Sequence, residues 1–168
     1  GHPWPDGSPC EKGSVLLICC EDDPGDTIRV RLDAAGADVN KVHLFKAVRR
    51  LDPETGKPRE EVFTLDDVHA MESALKKIPD CRLVVIDPIG SYLGGGTDSH
   101  RDNEVRGVLA PVALLAEKFA AAVVIVAHAR KSLAKYADDM ALGSRAFTGI
   151  VRSVWHLMND EEDPDRRL

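Results

Sequence analysis

Three stretches of the sequence finish in side chains that can handle protons or metal ions, and each follows a run of apolar, largely β-branched residues. Val15–Cys20 is followed by Glu21, Asp22 and Asp23, Leu83–Ile86 by Asp87, and Val123–Ala127 by His128, with Arg130, Lys131 and Ser132 close behind. A lone aspartate after an apolar run is how a strand end holds magnesium in phosphate-hydrolysing P-loop proteins. A second carboxylate can orient or deprotonate water, and a polar group nearby can sense a terminal phosphate. Nucleotide hydrolysis needs all three, and all three are offered. Each residue alone has a plainer use. Asp87 and Glu21 can cap turns, Asp22-Asp23-Pro24 is an ordinary helix start, and a rim histidine often does no more than accept or donate a hydrogen bond. The joint occurrence in one short chain is what points to chemistry.

Elements that could gather these residues are legible in the pattern. Five apolar runs read as strands: Val15–Cys20, Val42–Ala47, Leu83–Ile86, Val123–Ala127 and Val151–Leu157. Between them, helical patterns cover Asp26–Ala35, Leu65–Ile78 and Asn103–Phe119, with Gly36 and Pro79 just past two of their ends. The order β, α, β, α, β, α, β predicts a layered α/β fold with a mostly parallel sheet flanked by helices. LVVI and VVIVA are apolar at successive positions, as expected of strands covered on both faces. In open sheets of this kind the ligand crevice lies beyond the carboxyl ends of the strands, where the acids and the imidazole fall. Leu51–Val62 and Gly90–Asp102 read as mobile surface loops, and residues 159–168 as an acidic, flexible tail.

Composition narrows the classes further. The chain has 168 residues, 43% hydrophobic and 30% charged, so a single domain over residues 1–168 is expected rather than a disordered or fibrous protein. A net charge of −6 argues against coating duplex DNA by charge alone. The paired basic residues, such as Arg49-Arg50 and Lys76-Lys77, read as solvated surface. Cys10, Cys19, Cys20 and Cys81 lack CxxC spacing and read as reduced core residues. No apolar run is long enough to span a membrane and no signal peptide is evident, so a cytoplasmic location is expected.

One expected component is missing. The phosphate cradle GxxxxGK[ST], which supplies backbone amides, a lysine and a metal-binding hydroxyl, does not occur in these residues. Gly7–Ser14 is glycine-bearing, but its lysine precedes the second glycine and it leads into a strand.

The order of segments resembles the RepA-like hexameric replicative helicases and the related RecA-like P-loop ATPases. The resemblance runs from Trp4 to Met158 and rests on CEDDPGDTIRVRLDAAGAD, on RLVVIDPIGSYLGGG with DSHRDNEVRGVLAPVALLAE after it, on VVIVAHARKS and on GSRAFTGIVRSVWHL. It implies a RecA-like three-layer core that uses ATP and Mg²⁺, with the first β-P-loop-α unit absent. It also implies that Glu21 is the catalytic carboxylate, with Asp22 an open alternative, that Asp87 is the Walker B acid on Mg²⁺, and that His128 senses phosphate. Arg152 matches an arginine finger, a cation serving the neighbouring subunit's site, with Arg145 its competitor; Lys131 could contact phosphate or DNA. The loop Leu133–Leu142, with Lys135 and Tyr136, corresponds to where such helicases meet single-stranded DNA. Partners implied are other copies of the chain, as a hexamer in the parent or a dimer here, and single-stranded DNA. Without the cradle, weak ATP binding and negligible turnover are expected. The resemblance places the absent strand between the His128 and Arg152 strands, so direct pairing of those two, or a second copy, is expected to close the gap. A RecA or RadA type recombination ATPase and a non-catalytic binding module are the rival readings.

Overall fold

A computed structural model of the chain describes residues 2–4, 6–97, 101–128 and 146–157. Strands β1 (Ser14–Cys19), β2 (Val42–Leu44), β5 (Cys81–Asp87) and β6 (Ala122–Ile125) form one sheet in the order β2-β1-β5-β6. Every pairing in it is parallel. Strands β3 (Ala47–Leu51) and β4 (Pro58–Val62) make a separate antiparallel hairpin. Helices are α1 (Arg29–Ala34), α2 (Val68–Lys76), α3 (Asp102–Lys118) and α4 (Ala146–Ile150). The mixed α/β architecture with a mostly parallel, helix-flanked sheet is the one the sequence pattern predicts, and it is consistent with a RecA-like core.

Parallel neighbours require crossover connections, and right-handed crossovers place helices according to the direction of travel along the sheet. The chain moves outward from β1 to β2 through α1, then back across β1 to β5 through α2 and on to β6 through α3. Helices α2 and α3 therefore share one face and α1 takes the other. Alternation of side chains gives the first face Leu16, Ile18, Val84 and Ile86, which join Met71 and Leu75 of α2 and Val105, Leu109 and Val112 of α3 in one core. Glu72 ties these helices together, its carboxylate accepting from Lys118 Nζ and Lys76 Nζ at 2.8 Å each. Those two ammonium groups hold the Glu72 carboxyl down at about 2.

Local rules account for the element ends. The Asp23 carboxylate accepts from the amides of Gly25 and Asp26, capping a π-helical turn over Pro24–Ile28 that runs into α1. Gly36, at φ +66°, follows α1 in the left-handed conformation common at helix C-termini. At the opposite end of the sheet Ser14 Oγ donates to Asp80 at 2.8 Å, and Lys41 also reaches that carboxylate.

Four expectations are corrected. Leu51–Val62 is not a featureless loop; its flanks pair as the β3–β4 hairpin, because Val48 and Phe63 bury against the core while Arg49 and Glu60 face each other across the strands. Val151–Leu157 is not a strand, and Trp155 and Leu157 are 83% and 85% exposed. Consequently β6 does not pair with the segment holding Arg152, and among the described residues its outer edge has no strand beside it. Of the cysteines, all free, Cys19 and Cys81 are buried as expected, but Cys20 is exposed and Cys10 only half-buried. The Gly90–Asp102 stretch begins with an ordered 3₁₀ turn, Ile89–Tyr92, whose Tyr92 is fully buried. No described helix is long and apolar enough to cross a membrane.

Candidate functional site

Strands β1, β5 and β6 are consecutive in the sheet, so parallel alignment puts their carboxyl ends on one rim. Asp87 is the last residue of β5, in register with Cys19 of β1, and Glu21 follows two residues beyond. His128 comes three residues after the end of β6. Its Nε2 lies 3.4 Å from Glu21 Oε2, with the two side chains 65% and 52% exposed. Since β5 separates β1 from β6, this contact reaches across the strand that ends in Asp87. The three predicted site residues are thus gathered at one place.

Asp87 has the most perturbed environment of the three. Burial comes first in raising its pKa above the usual carboxylate range, followed by repulsion from Glu21 and Asp22, with His128 and Arg31 opposing. A carboxylate crowded by two others gains most from a nearby cation. Among the described residues no three side chains form a ready-made metal cage. Magnesium is commonly held by one or two carboxylates while water and phosphate oxygens complete its octahedron. The crowded carboxylates of Asp87, Glu21 and Asp22 are donors of the type that a Mg²⁺-nucleotide takes.

The acids after β1 divide into separate tasks. Glu21 faces His128. Asp22 accepts from Arg31 Nη1 of α1 at 2.7 Å. Asp23 is occupied by its cap, and the amides of Gly25 and Asp26 keep its carboxyl below the usual range. Arg31 is the one participant that the sequence pattern does not single out. The available signal is its place in the helix that Asp23 starts, which brings it back beside the acids.

The remaining predicted residues are Arg152, Lys131, Arg145 and those of the Leu133–Leu142 loop. Arg152 is exposed in the irregular stretch after α4. Lys131, Arg145 and the Leu133–Leu142 loop, with Lys135 and Tyr136, lie outside the described residues. A cavity of about 510 Å³ lies away from the rim, between α2 and the β2–β3 connection. At the rim the His128 and Glu21 side chains are each more than half exposed.

The AAA domain family AAA_25 matches residues 1–134, a span that contains Glu21, Asp87 and His128. No curated protein matches the chain. AAA domains are ATPase-like modules that use nucleotide and Mg²⁺, in keeping with the acids at the rim. With the greater part of its length matched, the chain belongs to the AAA_25 family of AAA domains.

Proposed function

We propose that this chain is the hydrolytic core of an ATP-driven DNA helicase of the RepA-like replicative type. The observation that carries the reading is the contact between His128 and Glu21 across the end of the strand bearing Asp87. Bound Mg²⁺ would supply charge neutralisation on the phosphates. Asp87 would hold the cation, which would offset the repulsion from Glu21 and Asp22. Glu21 orients the attacking water and accepts its proton, and Arg31 removes Asp22 from competition for that role. His128, already against Glu21, links the state of the terminal phosphate to the position of that carboxylate.

Arg152, with Arg145 as alternative, serves the site of a neighbouring copy in this reading, and Lys131 meets phosphate or DNA. Lys135 and Tyr136 meet single-stranded DNA, and the working assembly is a ring. These 168 residues carry no GxxxxGK[ST] cradle, so in this reading the chain by itself binds ATP weakly and does not turn over.

Calorimetry on the chain with Mg-ATP should give a Kd weaker than about 1 mM, at the low end of useful affinities; tighter binding overturns the proposed dependence on a phosphate cradle. In a protein that joins this chain to a phosphate-binding loop, Glu21→Gln should lower turnover by about 10²- to 10⁴-fold, the usual reach of a general base. Nucleotide binding should persist, whereas Asp22→Asn should leave turnover within about tenfold of the parent. Unchanged hydrolysis in Glu21→Gln would remove the basis of the assignment, and strand exchange without unwinding would favour a recombination ATPase.

A further inference from the structure

At the β2 edge of the sheet, the one opposite β6, the cavity of about 510 Å³ opens between α2 and the segment joining β2 to β3. Its floor is apolar, with Leu16, Phe45 and Val48 from the strand side and Ala70, Ala74 and Ile78 from the helix side. Its border carries His43, Arg49, Ser73 and Lys77, and among the described residues no acidic side chain lines it. In a chain of net charge −6, a concavity bordered by cations and free of carboxylates favours an anion against the net field of the protein. The volume lies in the range of small-molecule sites, about 300 to 1,000 Å³.

The charge of the ligand is set by what the border has left to give. Arg49 already reaches Glu60 at 3.3 Å, so that pair taken together is neutral. The Lys77 side chain has no ion-pair or hydrogen-bond partner among the described residues, and its positive charge remains. One net cation matches a carboxylate, whereas a phosphate dianion would keep a charge unanswered. Ser73 and His43 can each donate a hydrogen bond to a carboxylate oxygen. The body of the ligand is set by the floor. Among the described residues the Tyr92 hydroxyl is the buried side-chain polar atom without a partner, and Tyr92 does not line this cavity. A sugar or a nucleobase would bring hydroxyls and ring nitrogens that this floor cannot answer, and burying them unpaired is costly. A hydrocarbon body carries no such cost. Capture of a peptide by strand addition is disfavoured, because β2, the outermost strand here, has only three residues.

We propose that this groove binds a small amphipathic carboxylate, an organic acid whose hydrocarbon body rests on Leu16, Phe45, Ala74 and Ile78 and whose carboxylate is met by Lys77, with Ser73 and His43 donating to it. The site is separate from the rim that carries Glu21, Asp87 and His128. It involves no nucleotide chemistry, so its fate is independent of the ATPase reading.

Titration of the whole chain with decanoate, kept below the concentration at which it forms micelles and followed by nuclear magnetic resonance, tests the site. The amide signals of Ala70, Ser73 and Ala74 should shift and saturate with a Kd of about 1 mM, the scale usual for a ligand of so few atoms, while those of β6 stay in place. Decanol keeps the body and loses the charge, and it should bind about tenfold more weakly; decanoate should lose affinity for Lys77→Met by a similar factor. Ala74→Phe fills the floor and should remove the shifts, and Lys77→Met, a change at an exposed position, carries the test if Ala74→Phe does not fold. Equal binding of decanol and decanoate would overturn the proposal, since the border would then play no part. Shifts of the same size at Val85 and Val124 would also overturn it, because any apolar surface would then serve. Absence of a saturable shift with decanoate overturns the small-molecule site, and a shift seen only with a capped Glu-Leu-Leu-Glu peptide would hand the groove to a protein partner instead.

Discussion

On the sheet face that carries Leu16, Ile18, Val84 and Ile86, helices α2 and α3 leave each of these side chains at most 1% exposed, whereas Val15, Leu17, Leu83 and Val85 on the opposite face are only partly buried. Both sets are wholly aliphatic. Coverage separates them: on the second face α1 spans only the β1–β2 side, and Val124 of β6 is 41% exposed. Alternation assigns Asp87 to the less covered face, two residues beyond Val85, where it is partly buried beside Cys19. One face thus holds the strands together, and the other leaves their ends reachable by whatever the site binds.

The largest test of this contrast is a matched pair of truncations. Ile86→Ala should cost about 2 to 5 kcal/mol, as for other large-to-small changes in packed cores, while Val85→Ala next door should cost about 1 kcal/mol. Urea denaturation reads both, and equal losses would erase the distinction between faces. A smaller effect is expected from Glu72→Gln, which unties α2 from α3 on the covered face. The Glu72 carboxyl sits at about 2 in the folded protein. Its contribution is therefore present above the ordinary carboxylate range and lost as pH falls towards 2, so variant and parent should converge in acid.

Asp87→Asn probes the less covered face with the opposite sign. A raised carboxyl means that the folded state holds its proton more tightly than the unfolded chain. Stability from this group is full in acid and lost as pH rises through the raised value. At neutral pH the variant should be more stable than the parent by about 0.5 kcal/mol, with the gain vanishing below the ordinary carboxylate range. A loss of stability at neutral pH would show that Asp87 is held by attraction instead of crowding. Smallest of all, Val124→Thr should change stability by less than about 0.5 kcal/mol, since that side chain is already in water. A thermal melt suffices to check it.

How far the sequence could be read follows from the same contrast. Strands β1, β5 and β6 were visible because their apolar runs are short, β-branched and bounded by turn residues, and α1, α2 and α3 because their periodicity is regular. The acids and the imidazole at the strand ends were visible because parallel topology forces run ends to one rim. The hairpin was hidden, since three of the five residues of PREEV are charged and its pairing sets Arg49 against Glu60 and Arg50 against Glu61 only once the strands meet. Val151–Leu157 misled for the converse reason. Its residues suit a strand, but pairing needs a neighbour, and composition does not say whether one is there. The coverage of the second face was equally out of reach, because an apolar run records what a strand can bury and not what lies over it.

The division of labour after β1 has a consequence for how substitutions there should be read. Three consecutive acids answer to three different partners, an imidazole, a guanidinium and a pair of backbone amides. Permuting Glu21, Asp22 and Asp23 would preserve charge, length and composition to the letter, yet a longer side chain at the third position would displace the cap and a shorter one at the first would fall short of His128. In this tripeptide, order is information that no tally of residues retains.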